Sequence, residues 1–299
     1  MEKMPFRNIT VAGGGVLGSQ IAYQTAFHGF PVVVYDVSDE ALAKVRERLE
    51  KLKPNYMRDL QASKEQVDAA MDRIRLTADL AGAVREADLV IEAVPEIPEV
   101  KREFYERLGK VAPAHTVFAT NSSTLLPSQF AEATGRPEKF LALHFANSIW
   151  RHNTAEVMRH PGTDEQVFRD VIEFARAIGM VPLPLHKEQP GYILNSLLVP
   201  FLEAAQMLWV NEVADPETID KTWMIATGAK EGPFAILDTV GIRTAYNIAS
   251  GKAKAGNEAY GKLAEKLKAM IDEGKLGRES GEGFYRYPHP RFKQPDFLQ

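Results

Sequence analysis

The stretch that most constrains this chain is residues 8–22, Asn-Ile-Thr-Val-Ala-Gly-Gly-Gly-Val-Leu-Gly-Ser-Gln-Ile-Ala. β-favouring and small residues lead straight into Gly13-x-Gly15-x-x-Gly18, and a helical pattern begins at once. The reading is a strand, a tight turn and a helix N-terminus. The first glycine permits the turn, the second lets backbone approach a pyrophosphate, and the third lets the helix pack closely on the strand. The free N–H groups and the positive dipole end of the helix then face the phosphates. A second apolar run, Pro-Val-Val-Val-Tyr, ends in Asp36, eighteen residues beyond Gly18. A carboxylate there accepts hydrogen bonds from adenosine ribose hydroxyls. A glycine motif alone is a weak signal. With strand, helix, second strand and acid in register, the chain is expected to bind a dinucleotide.

Strand patterns recur at residues 74–77, 89–94, 116–120, 140–144, 155–158 and 180–185. Helical patterns fill gaps between them, among others at 98–111, 127–134 and 165–178. This alternation predicts an α/β fold with a doubly wound, Rossmann-type, mostly parallel sheet. Between the second and third strands lies a charged helical excursion. Its first helix is expected from residue 40 to about 52, stopped by Pro54, and its second over 64–73. The pattern changes at Glu188-Gln-Pro-Gly191. Beyond it Leu194, Leu197, Leu198, Phe201, Leu202, Ala205 and Leu208 form a wide apolar stripe, with Pro200 inside it as an expected kink. Further helices are expected at 216–226, 236–250 and 258–273. The expected division is therefore a Rossmann-like dinucleotide-binding domain over 1–188 and an all-α domain over 189–299.

Composition narrows the partners. A net charge of -4 offers no footprint for nucleic acid or an anionic membrane. With no cysteine there are no disulfides, thiolate metal sites or cysteine nucleophiles. The window 192–210 is the most apolar, yet it contains Asn195, Pro200, Glu203 and Gln206, which favours a buried helix over a membrane span. The first strand follows the N-terminus too closely for a signal peptide, and the expected location is the cytoplasm.

In open parallel sheets, ligands sit beyond the carboxyl ends of the strands. Of the seven histidines, His144 ends an apolar strand on that side, whereas His28, His115 and His289 fall in helix, loop and tail. On position alone His144 is as well read as a structural histidine as a base. His152, Glu156 and His160 alternate as on one strand face, which raises a metal reading that no cysteine supports.

The chain resembles the L-3-hydroxyacyl-CoA dehydrogenase family over nearly its whole length. The matching stretches are Gly13 to Gly18, Val-Ile-Glu-Ala-Val-Pro-Glu ending at Glu96, Thr-Asn-Ser-Ser-Thr-Leu from Thr120, and Leu-His-Phe-x-Asn ending at Asn147. They continue with Glu156, Pro-Gly-Tyr-Ile-Leu-Asn ending at Asn195, and Gly-Pro-Phe-Ala-Ile-Leu-Asp-Thr-Val-Gly ending at Gly241. The last is Leu-Gly-Arg-x-Ser-Gly-x-Gly-Phe-Tyr ending at Tyr285. Each is short, and together, in order, they are specific. The resemblance implies NAD as cofactor, a dimer, no metal, and oxidation of a 3-hydroxyl. In that role His144 is the general base, Glu156 orients its ring, and Ser123 and Asn195 hydrogen-bond the reacting oxygen. Without the resemblance, Glu156 reads equally as a solvated strand-edge carboxylate, Ser123 as a helix cap or turn serine and Asn195 as a polar residue on a helix rim. The resemblance also places Gly13, Gly15, Val16, Leu17, Gly18, Asp36, Glu96, Lys101 and Asn121 around the cofactor. Because Asn195 belongs to the helical part, the expected site is the cleft between the two domains.

One stretch departs from the family pattern. After the base, relatives continue Phe-Phe-Asn-Pro-Val-Pro, where this chain has Phe-Ala-Asn-Ser-Ile-Trp150, followed by Arg151. Trp150 is a candidate for narrowing an acyl channel, and Arg151 for binding a substrate carboxylate. Lys51, Lys53 and Arg58 lie in the excursion, where relatives hold the CoA handle. The expected substrate is a short-chain 3-hydroxyacyl-CoA. The alternatives are a free short 3-hydroxy acid, as in carnitine- and gulonate-type relatives, and a catalytically silent dinucleotide-binding protein.

Overall fold

The computed structural model describes residues 4–299, whose contacts divide the chain into two units, Met1–Ile193 and Leu194–Gln299. In the first unit the chain builds β1 (Ile9–Ala12), α1 (Val16–Phe27), β2 (Val32–Tyr35), α2 (Asp39–Leu60), α3 (Lys64–Asp72) and β3 (Ile74–Thr77). It continues through α4 (Leu80–Val84), β4 (Leu89–Glu92), α5 (Pro98–Val111), β5 (Val117–Thr120) and β6 (Phe140–Phe145). The unit ends with β7 (Thr154–Met158), α6 (Glu165–Ala177) and β8 (Val181–Leu185). The eight strands form one sheet in the order β3-β2-β1-β4-β5-β6-β7-β8. Every pairing is parallel except β6 with β7.

Strands β1, β4, β5 and β6 are buried along their whole length, as a sheet covered on both faces requires. Alternate residues feed separate cores. Val11, Ile91, Ala119 and Leu143 pack with Ile21, Val45 and Phe174 on one face. Ala12, Val90, Phe118 and Phe140 pack with Phe104, Tyr105 and Leu108 on the other. Strand order reverses at β1 and β4, which opens a crevice at their carboxyl ends.

Three local expectations are corrected. Pro54 does not end α2, which runs to Leu60. A proline inside a helix costs about 3 kcal/mol; the turn after Pro54 offsets this by burying Tyr56 completely against Tyr23 and Phe27. The segment 127–134 is not one helix but two 3-10 turns, Pro127–Gln129 and Glu132–Thr134. The helix expected over 236–250 is two helices, because Gly241 adopts φ 96° between them.

The second unit comprises α7 (Leu194–Val210), which continues through Pro200, α8 (Pro216–Thr227), α9 (Pro233–Val240), α10 (Ile242–Lys254) and α11 (Glu258–Asp272). Two buried carboxylates tie its parts together. Asp220 on α8 accepts the Phe234 and Ala235 N–H groups at 2.8 and 3.0 Å, capping α9, and the Tyr285 hydroxyl at 2.9 Å. Asp238 on α9 accepts the Phe284 and Tyr285 N–H groups and the Tyr287 hydroxyl. Burial outweighs these donors and pushes the Asp220 carboxyl up from 3.8 to about 6. The folded unit therefore holds this proton more tightly than the unfolded chain. Its stabilising contribution is full below 3.8 and is lost as pH rises through about 6. Relative to Asp220→Asn, the native protein should gain on the order of 1–3 kcal/mol between pH 7 and pH 4 in urea unfolding of the helical unit. A difference that stays constant over that range would show that Asp220 is not the titrating group.

Candidate active site

The crevice at the carboxyl ends of β1 and β4 holds a cleft of about 580 Å³, lined by Gly13, Gly15, Asp36, Lys44, Arg48 and Val94 among others. Its turn is built as the glycine spacing requires. Gly13 has φ 97°, and a Cβ on it would lie 2.4 Å from the Ala93 carbonyl oxygen. A Cβ on Gly18 would lie 1.9 Å from the Gly13 oxygen, so helix and turn are in direct contact. A Cβ on Gly15 would meet nothing, which leaves open space in front of the N-terminus of α1. Asp36 closes the far side, its carboxylate accepting the Gly14 N–H at 2.9 Å and the Val37 N–H at 2.8 Å. Space, dipole and carboxylate fit a dinucleotide. Lys44 and Arg48 were not legible as lining residues, since they lie one and two turns into α2 rather than directly after Asp36. Arg48 reaches back to the Gly14 oxygen at 3.2 Å.

A recess of about 220 Å³ is lined by Gly15, Val16, Leu17 and Gly18 together with Glu96, Lys101, Asn121 and Ser123. The structure thus brings these predicted cofactor residues to one place. Asn121 also accepts the Phe145 N–H at 3.1 Å, joining the ends of β5 and β6. Glu96 gathers a whole turn: it accepts the Ser122 hydroxyl, the Ser123 and Thr124 N–H groups at 3.1 Å each, and the Thr124 hydroxyl at 3.0 Å. Burial pushes its carboxyl up, but the Ser122 bond, the Lys101 charge and the Thr124 donors outweigh that and leave it below the ordinary carboxylate value.

His144 lies near the end of β6 and pairs directly with Glu156 across the antiparallel ladder. Directly opposed residues project from the same face, and the imidazole Nδ1 lies 2.9 Å from Glu156 Oε2. A carboxylate there assigns the ring proton to Nδ1 and leaves Nε2 as the acceptor. Nε2 lies 3.1 Å from the Ser123 hydroxyl, which donates to it. The other Glu156 oxygen accepts the Ile193 N–H at 2.9 Å. Tyr192 stacks on the imidazole at 4.4 Å and 16°, and its hydroxyl donates to the Ser122 oxygen at 2.7 Å. His144 and Glu156 are 4% and 2% exposed, so the pair works away from bulk water. Such a histidine can take a proton at Nε2 while the carboxylate stabilises the imidazolium.

The segment after His144 is held by groups that carried no sequence signal. Gln20 of α1 donates to Asn147 Oδ1 at 2.7 Å and accepts the Ser148 and Ile149 N–H groups at 2.8 and 3.3 Å. Trp150 turns onto α2, where its indole N–H donates to Asp59 at 2.8 Å and its ring packs on Tyr56. The Arg58 and Trp150 hydrogen bonds hold the Asp59 carboxyl down, to about 2. The indole is thus committed to the core of the first unit. His152 and His160 do not join Glu156: their rings bond the Asn147 and Pro137 carbonyl oxygens respectively. Asn195 lies in the first turn of α7, in the second unit.

Comparison with known proteins adds the family. Residues 8–189 match the family described as 3-hydroxyacyl-CoA dehydrogenase, NAD binding domain, and residues 191–287 its C-terminal domain. The chain is 36% identical to the mitochondrial hydroxyacyl-coenzyme A dehydrogenase of Homo sapiens over 293 residues, covering 96% of this chain and 93% of that protein. It is 32% identical to a probable 3-hydroxybutyryl-CoA dehydrogenase of Bacillus subtilis, covering 95% and 98% of the two. Among solved structures it is similar to a diketoreductase described by its substrate-directed dual catalysis of dicarbonyl compounds. That likeness has a TM-score of 0.91 and 55% identity, over 95% of this chain and all (100%) of the other.

The Asp36 carboxylate repels a phosphate on the adenosine ribose, so NADPH should bind at least ~10-fold more weakly than NADH. Asp36→Ser should narrow the gap, because Lys44 and Arg48 already line the cleft. Fluorescence titration of the two reduced cofactors reads both, and equal affinities in the native protein would refute the assignment of Asp36.

Proposed function

The chain belongs to the 3-hydroxyacyl-CoA dehydrogenase family, and from that premise we propose that it interconverts a short-chain L-3-hydroxyacyl-CoA and its 3-ketoacyl-CoA with NAD. The observation that carries this reading is the His144–Glu156 pair, with Ser123 at 3.1 Å from the free ring nitrogen and the cofactor recess lined by the same serine. When bound, NAD accepts the hydride from the carbon that bears the hydroxyl. His144 Nε2 takes the hydroxyl proton, displacing the Ser123 hydroxyl, which is then free to donate to the reacting oxygen. Glu156 stabilises the imidazolium so formed, and the proton leaves as the ring returns to neutrality. Asn195 supplies an amide donor to the same oxygen in this reading. In the reverse direction the imidazolium gives its proton to the oxygen as hydride arrives. His144→Ala should lower kcat by ~10²–10⁴ with NADH affinity little changed, and Glu156→Gln should cost less because the imidazole remains. Turnover within a few-fold of native in His144→Ala would make the histidine structural.

A second substrate class is favoured by two observations. One is the 55% identity to the diketoreductase described as acting on dicarbonyl compounds. The other is the Ser-Ile-Trp-Arg segment, in which Trp150 turns onto α2 and Arg151 stays exposed, without an ion-pair partner among the described residues. Arg151 suits a free carboxylate through paired N–H donors. We expect acetoacetyl-CoA to have a higher kcat/KM than free acetoacetate or larger diketo acids. A free acid that wins, and loses its advantage in Arg151→Ala, would replace the thioester by the free acid and leave the hydride chemistry in place.

For assembly, we propose a homodimer joined through the helical unit. Leu197, Leu208, Trp223, Ile225 and Ile248 are exposed there, more apolar surface than a soluble helical domain keeps bare. No helix among the described residues is long and apolar enough to cross a membrane; the proposed location is the cytoplasm. Light scattering at micromolar concentration should give twice the chain mass of 33.3 kDa, and a monomeric mass would refute the dimer.

A further inference from the structure

A strand buried on both faces ordinarily carries no charge, yet β4 ends in Glu92, which is 0% exposed. Its carboxylate is fully occupied. Oε1 accepts Lys101 Nζ at 2.6 Å and the Val94 N–H at 2.9 Å; Oε2 accepts the Tyr105 hydroxyl at 2.7 Å and the Thr120 hydroxyl at 2.8 Å. Four donors fill its acceptor capacity. Lys101, 1% exposed, shares its ammonium among Glu92, Glu96 Oε2 at 3.2 Å and the Val94 oxygen at 3.5 Å. Buried ion pairs of this kind add little net stability, since desolvation offsets their attraction. The location of this one points to a role in the site.

We propose that Glu92 is a positioning residue: it holds Lys101, Lys101 holds Glu96, and Glu96 fixes the Ser123 turn against His144. The inference rests on the NAD-dependent dehydrogenase reading. Glu96 Oε1 takes all the hydrogen bonds of the turn, while Oε2 faces Lys101. Without the Glu92 charge, Glu96 is the sole counter-ion of a buried ammonium. The carboxylate is then drawn towards Lys101 and away from the turn that presents Ser123 to His144. A second consequence follows from the sum of charges. Two carboxylates and one ammonium leave one net negative charge where Glu96 and Lys101 line the recess. A cofactor reaching from the Gly15 turn to a carbon beside His144 passes through that recess. Its nicotinamide is cationic when oxidised and neutral when reduced, so the cluster favours the oxidised form.

The test compares Glu92→Gln, Glu96→Gln and the double variant in the whole protein. NAD⁺ and NADH affinities are measured by titration without substrate, kcat and KM with acetoacetyl-CoA, and thermal midpoints alongside. For Glu92→Gln, the ratio of the NAD⁺ Kd to the NADH Kd should rise by about fivefold to tenfold. Its kcat should fall by about tenfold with KM changed by less than about twofold. The double variant should lose no more kcat than Glu96→Gln alone, since both act through one carboxylate. An unchanged Kd ratio and kcat with only a lower melting temperature would make Glu92 structural. Additive losses in the double variant would equally overturn the chain of contacts. If Glu92→Gln does not fold, Tyr105→Phe strips one hydrogen bond from the same carboxylate: kcat should fall several-fold at a constant Kd ratio, and an unchanged kcat would remove the positioning role. The Kd ratio is read without substrate, so a wrong substrate assignment leaves it standing, whereas no NAD⁺ binding by the native protein would strike the dehydrogenase reading itself.

Discussion

The antiparallel pairing of β6 with β7 is the constraint on which the rest of the site depends. In a wholly parallel sheet every strand delivers its last residues to one edge, and the next strand begins at the far edge. Here the chain turns back after β6, so the first residues of β7 lie at the edge where β6 ends. Glu156 thereby falls opposite His144 in the ladder, and no long side chain has to be immobilised to bring carboxylate and imidazole together. Strand β8 runs parallel to β7 and so leaves at the other edge. The chain must climb back, and it does so through Gly191 at φ 79° and Tyr192 at φ 55°. A tyrosine with positive φ is strained. The stack on His144, the hydroxyl bond to Ser122 and complete burial hold it there. The ring that packs the base is thus a product of the same reversal that pairs it.

The charges of the first unit follow a related logic. Glu92, Lys101 and Glu96 sit at the carboxyl end of β4, beside the crevice where strand order reverses. A hydrophobic replacement of similar volume would pack the core at least as well. What the charged set provides is direction. Glu96 collects the Ser122–Thr124 donors on one oxygen and Lys101 on the other, which ties the turn carrying Ser123 to the end of β4. The histidine on one side and the recess on the other are then joined through that turn, by contacts within a single unit.

How much of this was legible depends on range. The strand–turn–helix, Asp36 and the alternation of strands and helices are written in local pattern and spacing, whereas His144, Glu156 and Ser123 are singled out through the family resemblance. The continuation of α2 past Pro54 is not so written, because the burial of Tyr56 that offsets the proline is decided by α1. Nor is the bond between Trp150 and Asp59, residues 91 apart with no common pattern. Glu92 did carry a signal, as the one charged residue in the otherwise apolar Leu-Val-Ile-Glu-Ala-Val. Read with the rule that buried charges are paired, it announces a partner, though not which one.

The segment between His144 and Glu156 is held by side chains from outside it. The connection contains no proline and has no stiffening of its own from that source. Gln20 grips Asn147, Ser148 and Ile149 from α1, and Asp59 grips Trp150 from the end of α2. Proline rigidity acts on the chain's own dihedrals, whereas these bonds tie the loop to two helices. The loop after His144 is therefore one body with α1 and the end of α2. Within the charged helical excursion Lys53 is bound by Glu50 and Asp68, and Arg58 by Asp59, so neither is a free cation for a phosphate. Arg151, on the loop itself, is exposed and unpaired among the described residues. Lys51 on α2 is likewise exposed and in no ion pair among the described residues, so both the excursion and the loop keep a cation open to an anionic substrate.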